Sequence, residues 1–281
     1  MMYWIYDYPK WAIAILFVAV FVGATWFGIF LTRATIHSWI HREKRTNEMV
    51  GFALSSFFVL FGLLLGLVAV ATYQNYSGAT DTVDKEASTI AALARDFDGF
   101  PQPVRGQLQD RLIEYTRYTI EDGWPEQRKG IIPSGGKDRI ASLFQVLSAF
   151  EPVKRTEEIF YAEALQEFNR LLEVRRVLLA NVQIGLPSVI WWVVVFGALL
   201  NIVLIWLQDM EIHVHLILGG ILAAILGAVI FLIAMLDNPF RGGVGFGPGS
   251  IVLVYDSLKQ AANDLGTGDA GQQPSPQGFV R

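Results

Sequence analysis

The sequence predicts an all-α membrane protein: four transmembrane helices with a helical extramembrane domain inserted between the second and third. Three observations carry this. Four apolar runs, Trp11–Thr32, Val50–Tyr73, Ile184–Leu207 and Val214–Leu236, contain no Asp, Glu, Lys or Arg. Each exceeds the ~20 residues with which an α-helix crosses ~30 Å of hydrocarbon. The runs fall in two pairs around a polar middle, Gln74–Gln183, where apolar residues recur at helical spacing. The chain is 53% hydrophobic and 17% charged with a mean hydropathy of +0.39, an apolar content concentrated in the four runs.

Composition also excludes. A net charge of −4 lacks the concentrated basic face of a nucleic-acid binder. The absence of cysteine removes disulfides, thiolate metal sites and cysteine nucleophiles together. The opening MMYWIYDYPK has no basic n-region, and Trp11–Thr32 is too long for an h-region, so the first span is read as retained. Tyr3, Trp4, Tyr6, Tyr8 and Trp11 fit an interfacial belt, where amphipathic rings settle at headgroup level.

The expected domains are 1–73, the first helix pair; 74–183, the helical extramembrane domain; 184–236, the second pair; 237–265, a juxtamembrane segment; and 266–281, a Gly/Pro/Gln-rich disordered tail. Within the middle domain, helices are expected over Thr82–Phe97, from Val104, around Ile140–Phe150 and from about Thr156 almost to Pro187. WPEQRKGIIPSGG reads as a long loop. Near the span ends, Arg33, Arg42, Lys44 and Arg45 lie on the connector side. Lys10, Lys85, Arg170, Arg175, Arg176 and Arg241 lie on the other, and six against four places the termini and middle domain in the cytoplasm.

Small residues at helical spacing in the spans, Gly62 and Gly66 in the second and Gly219, Ala223 and Gly227 in the fourth, predict close helix packing in lipid. No Asp, Glu, Lys or Arg lies inside a run, which speaks against carboxylate-relayed transport and against voltage sensing by embedded arginines. Any crossing would be passive, past apolar side chains, hydroxyls and backbone dipoles. The second run is the candidate lining: Phe57 and Phe61, four apart, would form an apolar ring in a symmetric oligomer, with Ser56, Leu64 and Leu65 lining beside them.

Two stretches carry a resemblance. Ser56-Phe57, Val59-Leu60-Phe61-Gly62 and Tyr73-Gln74-Asn75-Tyr76 resemble the pore-neck helix of bestrophin anion channels. Asp237-Asn238-Pro239-Phe240, followed by Arg241, is similar to the acidic-residue–Asn–Pro–Phe segment after the last bestrophin span. With spans placed 1–2, middle domain, 3–4, the chain resembles the bestrophin-like family of bacterial and plant membrane proteins over about Trp11 to Leu258. The resemblance implies a homopentamer with a central pore and a cytoplasmic middle region, in a bacterial inner membrane. Animal bestrophins follow Asn-Pro-Phe with acidic residues that help bind calcium. Here Arg241-Gly242-Gly243-Val244-Gly245-Phe246-Gly247 cannot supply the oxygen ligands, so Pro239 and Phe240 are expected to be structural.

Other constellations have ordinary readings. His37 and His41, near Glu43 and Glu48, belong to a basic interfacial connector rather than a metal site. His213 and His215 are expected in the headgroup region. GGVGFGPG lacks the P-loop Lys and a preceding strand and reads as a flexible turn. No catalytic grouping, metal site or cofactor is expected. The expected function is an oligomeric ion channel, embedded in membrane lipid, passing small anions such as chloride. Its alternatives are a cation-permeable channel, since Asp81, Asp84 and Glu86 closely follow the second run, or a non-conducting scaffold or sensor whose helical domain binds a partner protein.

Overall fold

The computed structural model describes residues 8–40, 44–241 and 246–269. Its elements are all helical: α1 (Lys10–Ile40), α2 (Lys44–Phe97), α3 (Val104–Tyr118), a π-helical turn (Thr119–Gly123), α4 (Trp124–Arg128), α5 (Gly136–Ser148), α6 (Arg155–Asn181), α7 (Ser188–Trp206), α8 (Ile212–Leu236) and α9 (Gly249–Asp269). The chain divides into a unit of Met1–Gly78 with Gln183–Gly245 and a unit of Ala79–Val182 with Phe246–Arg281. Helices α1, α2, α7 and α8 are long and apolar enough to cross a membrane. The four-span, all-helical class agrees with the sequence reading.

Helix α2 is longer than expected. The separate helix anticipated from Thr82 is its continuation, because only Gly78, at about 1 kcal/mol against Ala, interrupts the run from Tyr73. Its 54 residues rise about 80 Å, far beyond ~30 Å of hydrocarbon. Only the uncharged Val50–Tyr73 segment is therefore membrane-spanning, and the charged residues from Asp81 onward stand outside it.

In the first unit, α1 packs along α8 and, less extensively, along α7. The small residues of α8 set the approach. A Cβ on Gly227 would lie 3.1 Å from the Phe17 carbonyl oxygen and 3.2 Å from the Val18 Cα, so α1 rests against bare backbone. Ala223 is fully buried one turn away, and a Cβ on Gly219 would press against Ile205, Ile29 and Thr25. Three rings then bond to carbonyls across this bundle. Trp26 Nε1 donates to Leu216 O (3.0 Å), Trp206 Nε1 donates to Thr25 O (3.1 Å), and His215 Nε2 lies 2.9 Å from Ile205 O. His215, expected in the headgroup region, is buried among the helices, where that carbonyl gives its ring nitrogen a partner. Asn47 makes a reciprocal pair with Asp209: its Nδ2 donates to Asp209 O and its Oδ1 accepts from Asp209 N, each at 3.0 Å.

In the second unit, Ile90, Leu93 and Phe97 of α2 are buried, as are Leu108, Leu112 and Tyr115 of α3, Leu143 and Leu147 of α5, and Phe168, Leu171 and Leu178 of α6. Glu157 caps α6, its carboxylate accepting from the Val153 and Lys154 amides at 3.0 and 3.2 Å. The loop expected from Trp124 begins instead as α4, since Pro125 falls in the first turn, where a missing N–H costs nothing. The tail expected to be disordered from Gly266 starts with the last turn of α9, and its remainder lies outside the described residues. Tyr3, Trp4 and Tyr6, His41 and Gly242–Gly245 also lie outside them, as does the side chain of His37.

The indole of Trp206 covers Gly28, where a Cβ would fall 1.8 Å from its Cε2. Gly28→Ala is expected to displace that ring and its bond to Thr25, destabilising the bundle by about 1–3 kcal/mol. Thermal unfolding in detergent, followed by tryptophan emission, checks this; an unshifted transition would contradict it.

Candidate pore-lining helix and its supports

Within its membrane-spanning stretch, α2 has two apolar faces that sequence periodicity cannot distinguish. Leu54, Phe61, Leu65, Val68 and Thr72 are buried. Phe61 and Leu65 join a cluster with Val194 and Ala198 of α7 and Leu226, Ile230 and Ile233 of α8, and Phe57 and Leu64 pack against it. The ring of Phe61 lies over Gly197, where a Cβ would fall 2.2 Å from its Cε2. Phe57 stacks on Phe61 at 6.1 Å with 11° between the planes. The opposite face, Phe52, Ser56, Val59, Leu60, Leu63, Leu67 and Val70, is exposed.

The expected lining residues divide between these two faces. Phe57, Phe61, Leu64 and Leu65 face α7 and α8 of their own chain, because Gly197 leaves room for an aromatic ring there. Of the five expected lining residues, only Ser56 stands on the outward face. Gly62 and Gly66, expected at helix contacts, are likewise exposed, and a Cβ at either would meet nothing within 4 Å. Gly219, Ala223 and Gly227, by contrast, sit against neighbouring helices.

At the end of α8, Asp237 ties two spans together. Its Oδ1 accepts from the Leu186 amide, in the segment leading into α7. Its Oδ2 accepts from Trp191 Nε1 at 3.1 Å and from Asn238 Nδ2 at 3.3 Å. Burial pushes this carboxyl above its ordinary pKa range, and the Leu186 and Trp191 bonds pull the other way. Gly185 passes close by: a Cβ there would lie 3.5 Å from Asp237 Oδ1. Pro239 ends the helix, Phe240 is buried, and the Arg241 amide closes a turn onto Asn238 O at 3.0 Å. Asp237 thus spends its carboxylate oxygens on N–H donors. No metal-holding group of three His, Asp or Glu occurs among the described residues.

In the second unit an ion pair went unseen in the sequence. Glu86 of α2 is fully buried; its Oε1 accepts from Tyr115 O–H at 2.6 Å and from Arg175 Nη1 at 3.2 Å. Burial and the adjacent carboxylate hold the Tyr115 phenol far above its ordinary pKa, so it stays a donor. The signal was present: Glu86 falls between Val83 and Ile90, and Arg175 between Leu171 and Leu178, on the apolar stripes of α2 and α6. A charge at a core position in each of two helices is the pattern of a buried pair.

Helices, burial and polar ties together define a polytopic membrane protein with a helical domain between its two span pairs. The model of the bestrophin-like domain matches residues 15–251, and the chain belongs to the bestrophin-like family. Among solved structures, a point mutant of a bacterial bestrophin homolog from Klebsiella pneumoniae is similar at 13% identity and a TM-score of 0.64, covering 89% of this chain and 98% of that one. A second point mutant of that homolog gives 11% identity and a TM-score of 0.65, covering 88% and 99%. At such identities the likeness shows a shared fold. No protein of curated function matches the chain.

Removing the Asp237 carboxylate leaves the Leu186 amide and the Trp191 indole without their acceptor. Asp237→Ala is expected to destabilise the first unit by about 1–3 kcal/mol. Asp237→Asn, which keeps one acceptor oxygen, is expected to lose less. Urea or thermal unfolding of the purified variants gives the ranking, and equal losses would contradict the clamp.

Proposed function

We propose that the protein is an oligomeric ion channel of the inner membrane of a bacterium, with its pore bounded by the outward face of α2. The observation that carries this is the face itself: Ser56, Val59, Leu63, Leu67 and Val70 are exposed over some four turns, uncharged, and left uncovered by the chain's own helices. Copies arranged around an axis would bring these side chains into a narrow apolar path that conducts when wetted and closes by dewetting. The bestrophin resemblance supports five copies, small anions such as chloride, and a cytoplasmic middle domain. Phe61, on the inward face, then acts as a support that holds α2 against α7.

This division gives a direct test. In liposomes with a chloride gradient, the wild type is expected to conduct, and Leu63→Ser to raise flux at least several-fold by wetting the path. Phe61→Ala is expected to lower thermal stability, with little gain in flux. A wild type without flux, or a Leu63→Ser variant with unchanged flux, would favour a scaffold that conducts nothing.

One observation favours a second reading, cation permeation. Of the three acidic residues after the second span, Glu86 is taken by Arg175 and Asp84 accepts from Ser250 Oγ. Asp81 is exposed on α2 with no ion pair among the described residues. If Asp81 attracts the permeant ion, the reversal potential under a potassium chloride gradient lies on the cation side, and Asp81→Asn moves it toward chloride. A chloride-side potential unmoved by Asp81→Asn leaves the anion reading in place.

A further inference from the structure

The last turn of α2 holds a carboxyl whose surroundings do not suit a charge. Asp96 is 2% exposed, and its Oδ2 is buried without a hydrogen-bond partner. Its Oδ1 lies 3.7 Å from Nε of Arg95, whose side chain is 75% exposed and hence largely screened. The neighbouring charges on α6 are Glu163 and Glu167, one helical turn apart. Glu167 accepts from Arg170 Nη1 at 3.5 Å through Oε1, while its own Oε2 is buried and unpartnered. Beyond the end of α2, Arg105 of α3 pairs its Nη2 with Asp98 Oδ1 at 2.6 Å, while its Nε is buried without a partner. Just past the end of α2, the turn meets α6 closely: a Cβ on Gly99 would fall 2.2 Å from Phe160 Cγ.

Three physical effects act in one direction. An ionised carboxylate at a helix C-terminus faces the negative end of the macrodipole. A buried oxygen without a donor loses its hydration and receives nothing in return. Nearby like charges raise the energy of the ionised form. A single proton answers all three, since it removes the charge and turns the orphaned Asp96 oxygen into an O–H donor.

We propose that Asp96 is a proton-binding carboxyl of the helical domain, coupled to Glu167, whose ionisation loosens the end of α2 from α6. Burial first, and Glu163 and Glu167 after it, hold the Asp96 pKa above its ordinary 3.8, with Arg95 opposing. Its protonated form is therefore the one that fits the fold. The stabilisation is fully present below the unfolded value of 3.8 and fades as pH rises through the higher folded one. This inference stands on the helical domain alone and is independent of whether the spans conduct.

The test uses the full-length protein in detergent. Infrared difference spectra across a pH series are expected to show a protonated-carboxyl C=O stretch that persists above the ordinary carboxylate range and is lost in Asp96→Asn. Glu167→Gln, which removes a neighbouring charge, is expected to move the disappearance of that band to lower pH. In thermal unfolding, Asp96→Asn and wild type are expected to coincide at the acid end and separate as pH rises, the variant melting higher. A band that titrates in the ordinary range, a midpoint unmoved by Glu167→Gln, or a melting difference that does not change with pH would each overturn the proposal.

Discussion

Hydrocarbon offers no hydrogen-bond partner to a peptide group, and the first unit is arranged around that fact. Each span is a helix because only a helix satisfies its own backbone. Several polar side chains there are placed on backbone groups of a neighbouring helix or of their own, while Thr25 Oγ1 and Asn201 Oδ1 are buried without a partner. Trp26, Trp206 and His215 reach carbonyls of another segment, and Asn201 Nδ2 donates one turn back to Gly197 O at 2.9 Å. Asp237 does the reverse, offering a carboxylate to an amide just outside a helix. Approach distance is left to glycine and alanine, and Gly28, Gly197 and Gly227 each accept an atom that a side chain would exclude.

The extramembrane unit solves a different problem. Surrounded by water, it relies on a conventional apolar core, and its buried Glu86–Arg175 pair has both charges bonded to each other with Tyr115 as a third member. A pair so enclosed contributes little net stability against apolar substitutes, yet losing either half would strand the other. Its effect is to fix which turn of α2 faces which turn of α6. The π-helical turn after α3 adds a residue to the helical winding just past Tyr115 and Tyr118, and Tyr118 O–H in turn accepts from the Gly135 amide at 3.0 Å.

Much of this was legible in the residues and some was not, for identifiable reasons. The spans were visible because uncharged length is a one-dimensional property. Their facing was not, because in lipid both the core side and the outward side of a helix are apolar; Phe61 and Leu63 differ in surroundings and hardly in chemistry. The unbroken course of α2 was obscured by the change from apolar to charged residues at Gln74–Lys85, a change of environment rather than of backbone. Asp237 was recognised as part of a motif, but its acceptor role depends on Leu186 and Trp191, some fifty positions earlier. Glu86 and Arg175 could have been found by asking which charges interrupt an apolar period.

The partnership of α1 with α8 also bears on biogenesis. Of the four spans, α1 is made first and packs chiefly on α8, made fourth. At roughly 5–20 residues per second of synthesis, the first helix waits on the order of ten seconds or more before its companion exists. Gly227, which seats it, lies 210 positions after Phe17. During that interval the insertion machinery or surrounding lipid must shelter the surface around Phe17 and Val18 that Gly227 later covers. A chain cut short before α8 would thus display an unfinished seam, a natural mark for quality-control proteolysis.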